Sequence, residues 1–573
     1  MPYKYVTEPD YTIKFNGFNL GFDTETDGLN TRVNNLLLIQ LSDGVCTYIF
    51  DCRILPTNYI KEIFARLDKH TFIAHNAKFD VGFLFAKYGI IPNKIHDTML
   101  VEAIMNSGRD TLYPSLKKVV EERLGIEIDK SMQTSFLTPT RRFTEEQLKY
   151  AAVDSEVLLT IYYQQIKEIG EGKFKTVVDL EMALLPVVMK MEHYGIRFDV
   201  DRLLPVLEKN EQDADRYEQE LFELAGKEFN PRSPKQVKEI LHGLALTTGN
   251  KKLLVASTNA DTLRRIKHPF TKKILMYRSS QKLVSTYGIK LVEKIETDGK
   301  IHCTFNQLGT VSGRLSSARP NLQNIPHQVE FRHLFRADEG MSFVTADYSQ
   351  IELRLAGILS SEPKILNEYS KEDADLHRLT ASHIFKVPPE KIVKEQRSSG
   401  KLGNFSSLYG VSARSMSIKQ DISYNLAKEI IAGFWGGYPI LRNYMYKESA
   451  KAARAGFVRT VTGRIRYLDI PSTTDPGFKY KLAAIKREGF NMKIQGFAAD
   501  IMKYAMVMLD RDLGERGKIL LTVHDEVGVE VNEEDGEEVT QIIKESMEKS
   551  AGTLVENILP MTVEAVLLDS WTK

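Results

Sequence analysis

In GFDTETDG, Asp23 and Glu25 close an apolar run two residues apart, and the period of a strand turns both carboxylates to one face. An acidic strand end alone reads as a solvated turn. Two later segments give the pair more meaning. HNAKFD sets Asp80 in a helix-start context after Asn76, and KYAAVD places Tyr150 and Asp154 four apart on one helical face. Four acids from three segments, with a tyrosine one turn from the last, suit two-metal phosphodiester hydrolysis. Hard divalent ions take carboxylate oxygens, and two of them about 4 Å apart activate a water and stabilise the leaving oxygen. Tyr150, with a usual pKa of about 10, is too weak an acid to act as base at neutral pH but can orient that water.

A second acidic set lies downstream. SFVTADYSQIELR is an apolar strand ending at Asp347, ahead of helix-compatible sequence, and LLTVHDEVGVEV reads as two strands joined at His524, Asp525 and Glu526. Charges buried at strand ends are costly unless paired or metal-bound. Adjacent strands that brought Asp347 to Asp525 would make a second two-metal centre; an acidic turn is the plainer reading of either segment alone. Between them, RSSGKLGNFSSLYG spaces Arg397, Lys401, Phe405 and Tyr409 four apart. Steps of four drift by roughly 40° around a helix, so the four form a stripe with cations at one end and rings at the other. A core-facing stripe would not start with Arg and Lys, and a solvated one would not finish with Phe and Tyr. A nucleoside triphosphate has the matching polarity: phosphates for Arg397 and Lys401, sugar and base for Phe405 and Tyr409.

The elements that must position these residues alternate in type. Up to about residue 165, strand-like runs (NLGFDTET, NLLLIQLSDG, CTYIF, TFIAH) interleave with helical stretches (YIKEIFARLD, TEEQLKYAAVDSEVLLTIYYQQI), predicting an α/β domain. From about 166 to 300 the chain is charged and helix-rich. Beyond 300, strands at SFVTAD and KILLTVHDEVGVEV flank a long helical section from about 373 to 455. No internal repeat or low-complexity tract interrupts the pattern. The 573 residues predict several domains, with 42% apolar and 27% charged residues giving ordinary globular composition. Seventy-seven Lys and Arg nearly balance 76 Asp and Glu, so net charge neither signals nor excludes an anionic partner. Cys46, Cys52 and Cys303 match no metal spacing and suit a reducing compartment. Without a signal-like N-terminus or an apolar run of the ~20 residues that span a bilayer, the expectation is a soluble intracellular protein.

SGRLSSARPNLQNIP, DYSQIELR, the stripe RxxxKxxxFxxxYG and VHDE together resemble the motifs of family A DNA polymerases. The order DxE, NxxFD, YxxxD resembles the DnaQ-like 3′–5′ exonucleases. The resemblance is collinear from Asp23 to Trp571. It implies an α/β and α+β multidomain protein: an RNase H-like exonuclease domain over 1–165, then a right-hand polymerase over 166–573. Within the latter it implies a thumb at about 180–300, a palm at about 301–372 and 456–573, and fingers at about 373–455. It also implies Mg²⁺, two ions per centre with Mn²⁺ able to substitute, ligated by Asp347 and Asp525 in one site and by Asp23, Glu25, Asp80 and Asp154 in the other. Glu526 is implied as a supporting catalytic carboxylate. Arg397, Lys401 and His377 would hold the triphosphate, with Lys401 also protonating pyrophosphate. Glu352 would close against Tyr409 and leave no room for a ribose 2′-OH, and Gln350 joins the nucleotide set. Arg314, Asn491, Gln495 and His524 are implied at the DNA, where minor-groove acceptors allow a check of pair geometry without reading sequence.

Implied partners are primer-template DNA and dNTPs, with no membrane, for a monomer in the cytoplasm of a bacterial or phage-infected cell, an organelle staying open. No sequence precedes the exonuclease-like region, which predicts a chain without a 5′ nuclease domain. Three departures stand out: Ser406 replaces the glycine that usually follows the stripe's phenylalanine, Ser312 replaces a usual threonine, and no long thumb insertion is present. Serine in place of glycine stiffens a helix, glycine costing about 1 kcal/mol against alanine there. Two alternatives stay open. A single-subunit RNA polymerase would share the stripe and both palm aspartates, and an exonuclease could carry an inactive DNA-binding polymerase half. Incorporation of rNTPs against dNTPs separates the first, and primer extension the second.

Overall fold

The apolar runs near the N-terminus pair into one six-stranded sheet in a computed structural model that describes residues 2–572 apart from 110, 139–140, 173 and 327. Its strands are β1 (Tyr3–Val6), β2 (Asn19–Thr26), β3 (Leu36–Ser42), β4 (Thr47–Asp51), β5 (Thr71–Ala74) and β6 (Lys94–Asp97), in spatial order β1-β4-β3-β2-β5-β6. Both faces are covered, which is why β3 is almost continuously apolar. Ile39 and Leu41 pack into a core with Ala77 and Val81 of α1 (Ala77–Tyr88). Leu38, on the other face, packs with Leu148, Ala151 and Ala152 of α2 (Glu145–Gly172). In the β2–β3 ladder Asp23 opposes Gln40 and Glu25 opposes Leu38. Directly opposed residues share a face, so both acids look toward α2, the helix of Tyr150 and Asp154.

Helix α3 (Lys175–Tyr194) leads out of this domain, packing on α1 and on the long helix described below. A separate small core follows, in which Ala214 and Leu221 of α4 (Val200–Ala225), Val237 and Leu241 of α5 (Pro234–Thr248), and Phe270 and Ile274 of α6 (Pro269–Tyr287) meet. Ser233 caps α5 by accepting from the Gln236 amide, with Pro234 opening the helix. The paired short strands β7 (Thr304–Asn306) and β8 (Ser316–Ala318) then bracket Arg314.

The polymerase-side sheet has β9 (Met341–Tyr348), β10 (Gly517–Val523), β11 (Glu526–Asn532) and β12 (Val563–Leu568), all antiparallel in the order β10-β11-β9-β12. Between β9 and β10 come α7 (Ile351–Ser360), α8 (Leu376–Phe385), α9 (Lys394–Leu408), α10 (Tyr424–Gly437) and α11 (Phe478–Leu513). The expected sheet, helical section and sheet are therefore all found. The C-terminal half of α11, from Phe497 to Leu513, is buried along most of its length. Asn491 and Gln495 sit where its exposed half begins to enter the core.

A fully buried set of charges ties α3 to this half. Glu181 accepts from Arg464 at 2.6 Å and from Lys503 of α11, while Asp500 holds Arg464 at 2.6 Å. Lys503 also donates to the Gln307 carbonyl at 2.8 Å, bracing the segment between β7 and Arg314. Two polar contacts add to the seam: Tyr467 N donates to the Ser107 carbonyl and Leu308 N to the Tyr113 hydroxyl. Among the described residues no helix is long and apolar enough to cross a membrane.

Candidate active sites

In the N-terminal domain, ligand oxygens of Asp23, Glu25 and Asp154 all lie within 4.8 Å of one another. Burial and the neighbouring Asp154 charge push Asp23 up to about 7. Burial, then Asp23 and Asp154, hold Glu25 well above the usual range. Such a set of close carboxylate oxygens, with Asp23 and Glu25 both raised, is what a hard divalent cation would relieve. Asp80 stands apart from the trio. Its Oδ1 accepts from Thr24 Oγ1 at 2.6 Å, and burial with the Asp23 charge raises it strongly.

Tyr150 and Asp154 do share one face of α2, and burial with the Asp154 charge pushes the phenol well up, so it stays protonated. One residue had no signal in the sequence. Lys130, from an irregular segment, donates to Asp154 Oδ2 at 2.5 Å and to the Tyr150 hydroxyl at 3.4 Å. Its distance along the chain and lack of periodic context hid it.

In the second centre, the β9–β11 ladder sets Asp347 opposite Glu526, and Tyr348 N donates to the Asp525 carbonyl at 3.3 Å. His524 takes the left-handed conformation (φ 59°) that turns β10 into β11. Burial and the charge of Asp347 push Asp525 up to about 7, and the adjacent strands bring the two aspartates to one end of the sheet. Glu526, expected as a supporting carboxylate, is buried beside Asp525: its Oε1 accepts from Trp571 Nε1, and its Oε2 pairs with Arg332 at 3.3 Å.

The stripe is helical from Arg397 to Phe405, with Tyr409 just past the end of α9 as its C-cap. Arg397 pairs with Asp375 at 2.7 Å, and Asp375 also caps α8 by accepting from the Arg378 amide. Lys401 and Phe405 remain exposed. The Tyr409 hydroxyl donates to Glu352 Oε2, while Arg314 holds Glu352 Oε1 at 2.5 Å. Gln495 bonds the same tyrosine, which places it at the Tyr409–Glu352–Arg314 group. Gln350, in the left-handed turn that starts α7, accepts from Tyr369 at 3.1 Å. His377 is buried, and that burial, with the charge of Arg397, lowers it to about 4. It is thus a neutral imidazole, not a third cation. Ser406 lends its carbonyl to Val411 N, while the buried Ser407 hydroxyl lacks a protein partner among the described residues.

Known proteins resemble this chain in sequence and fold. Residues 201–573 match the model of DNA polymerase family A, and residues 11–169 match a model described as 3′-5′ exonuclease. DNA polymerase I of Aquifex aeolicus is 31% identical over 100% of both chains. DNA polymerase I of Treponema pallidum is 31% identical over 87% of this chain, which matches 51% of that relative's length. A solved structure, the POL domain of Pol1 from M. smegmatis in complex with DNA primer-template and dNTP, is similar with a TM-score of 0.83. That likeness is at 26% identity and covers 97% of this chain and 96% of that one. With its carboxylate sheet, stripe helix and N-terminal acidic trio all inside the matched regions, this chain belongs to DNA polymerase family A and carries a 3′–5′ exonuclease domain.

Proposed function

We propose that this chain extends primer 3′ ends with dNTPs under template direction at Asp347 and Asp525, and trims 3′ ends at Asp23, Glu25, Asp80 and Asp154. The observation that carries the reading is the Tyr409–Glu352–Arg314 group, which ties the end of the cation-bearing helix to the first turn after the Asp347 strand. Phosphate-binding cations, a wall for the sugar and paired carboxylates thereby border one space. The domains would divide as the resemblance implies: exonuclease 1–165, thumb about 180–300, palm about 301–372 and 456–573, fingers about 373–455.

Asp347 and Asp525 would hold Mg²⁺, and Asp23, Glu25 and Asp154 with Asp80 would hold it in the other centre, two ions in each with Mn²⁺ as substitute. When bound, the ions supply charge neutralisation at the attacking and leaving oxygens. Arg397, already oriented by Asp375, grips phosphate through its planar fork, and Lys401 adds a compact charge and a proton for the departing pyrophosphate. Phe405 packs beside the sugar. Glu352, pinned from two sides, fills the space a 2′-OH would need. Tyr150 orients the attacking water in the trimming centre without giving up its proton. Arg314, Asn491, Gln495 and His524 face the primer-template, and reaching the minor groove requires Arg314 to share or leave Glu352. A primer-extension assay with Mg²⁺ and either dNTPs or rNTPs tests the reading. Extension with dNTPs and not rNTPs is expected, and no extension by folded protein refutes it.

A further inference from the structure

Helices α8 and α9 approach closely because Gly400 of α9 lacks a side chain: a Cβ there would lie 2.0 Å from the His377 carbonyl oxygen. Gly403 does the same toward α10, where a Cβ would press on Ile430 at 3.1 Å. The first contact brings Asn404, fully buried on α9, to His377 on α8. Asn404 Nδ2 lies 2.8 Å from His377 Nδ1, and Thr380 Oγ1 donates to Asn404 Oδ1 at 2.6 Å. The Tyr438 hydroxyl lies 2.7 Å from Thr380 Oγ1. Thr380 and Tyr438 are also fully buried, so no solvent competes for these groups.

With Asn404 Oδ1 placed toward Thr380, the protons in this chain have one order. Thr380 has a single hydroxyl proton and spends it on Asn404, so Tyr438 must be its donor. With Oδ1 accepting, the Asn404 amide nitrogen turns to His377, where it can only donate. Nδ1 therefore carries the lone pair, and the one proton of the neutral ring sits on Nε2. We propose that Asn404 is a positioning residue of the polymerase site, fixing His377 as the Nε2–H tautomer so that it offers the triphosphate a neutral hydrogen-bond donor between Arg397 and Lys401. This rests on the reading that His377 meets the nucleotide.

A donor that does not titrate has a use here. Arg397 and Lys401 already repel a third positive charge, and a bare Nε2 lone pair would repel phosphate oxygens. The Tyr438–Thr380–Asn404 chain avoids both states.

Protein labelled with ¹⁵N-histidine, free of metal and DNA, reads the tautomer directly, with His377→Gln identifying the signal. Wild type is expected to show a lone-pair Nδ1 and a protonated Nε2, unchanged from about pH 6 to about pH 8. Asn404→Leu should mix the tautomers and weaken dNTP binding in single-turnover extension by about tenfold, with less effect on the maximal rate. Asn404→Asp should pull a proton to Nδ1 and make dNTP binding acid-favoured, weakening as pH rises. The other charges facing the ring, Asp375, Arg397 and Lys401, are unchanged in that variant, so the new dependence would trace to position 404. Denaturant unfolding followed by the emission of Trp435 and Trp571, both in the polymerase half, reports that each variant is folded there.

A wild-type proton on Nδ1, titration of His377 within that pH range, or an unchanged tautomer in Asn404→Leu overturns the proposal. If the tautomer shifts but neither Asn404→Leu nor His377→Gln alters dNTP binding, His377 is not at the nucleotide and the positioning role falls with it. Extension by wild type judges the polymerase reading separately.

Discussion

Replacing Asp525 by asparagine removes a charge that the metal-free fold accommodates poorly. Burial and Asp347 raise this carboxyl to about 7, against about 3.9 for an unhindered aspartate. A folded state with the higher pKa binds the proton more tightly than the unfolded chain. The resulting stability is fully present below about pH 4 and is lost as pH rises through 7. Three units at about 1.36 kcal/mol each bound the loss at about 4 kcal/mol, and partial exposure of the site reduces it to about 2–3. Asp525→Asn keeps the shape without the charge, so in EDTA at about pH 8 it should be more stable than wild type by about that amount. At about pH 5 most of the advantage should vanish. Saturating Mg²⁺ should erase or reverse it at the higher pH, because only the wild type retains both carboxylates. Denaturant unfolding followed by tryptophan emission isolates the relevant half, since the chain's 2 tryptophans, Trp435 and Trp571, both pack in the polymerase core. A wild-type midpoint that is flat from about pH 5 to 8 in EDTA would refute the reasoning, as would an Asp525→Asn variant less stable than wild type at about pH 8.

The two carboxylate centres should be separable: Asp347→Ala should abolish extension and spare trimming of single-stranded DNA, while Asp23→Ala with Glu25→Ala should do the reverse. Loss of both activities in a folded single-centre variant would contradict this. Glu352→Ala should lower rNTP/dNTP discrimination by about two or more orders of magnitude, each 1.36 kcal/mol of lost exclusion being about tenfold; competition between the two nucleotides measures it. Lys401→Ala should depress the chemical step more than dNTP affinity, and pre-steady-state kinetics showing only weaker binding would remove its role as an acid. Phe405→Tyr adds a hydroxyl near the position vacated in a dideoxynucleotide, so ddNTP use should improve by roughly ten- to a hundredfold. Equal discrimination by Phe405→Tyr and wild type in single-nucleotide competition would place the ring away from the sugar.

What the sequence made legible follows a physical divide. Asp23, Glu25, Asp347 and Asp525 sit at ends of apolar strands, and Tyr150 and Asp154 at helical spacing, so local periodicity exposes them. The stripe is legible for the same reason, apart from its last turn, which the Gly410 region ends before Tyr409. Glu526 is legible as the letter after Asp525, but adjacent letters cannot say that its carboxylate meets Trp571, 45 residues away. Lys130, Asp375 and the Asn404–Thr380 link act through partners on other segments, and nothing periodic marks them. Gly400 and Gly403 were visible as letters in a helical pattern. Their purpose, letting α9 touch α8 at Gly400 and α10 at Gly403, exists only once those helices are placed.

The buried seam of Glu181, Arg464, Asp500 and Lys503 bears on where this protein can be divided. The family A match begins at residue 201, downstream of Glu181. A fragment cut there would keep two buried cations and one buried anion in place of a balanced four. Removing one partner of a buried ion pair costs about 3–5 kcal/mol, because the remaining charge is stranded away from water. Burial already pulls Lys503 down to about 8, and without Glu181 it would most readily shed its proton. The Gln307 carbonyl would then lose a charged donor beside the loop of Arg314. A self-sufficient polymerase module of this protein should therefore start before Lys175, taking the connecting helix as its own first element.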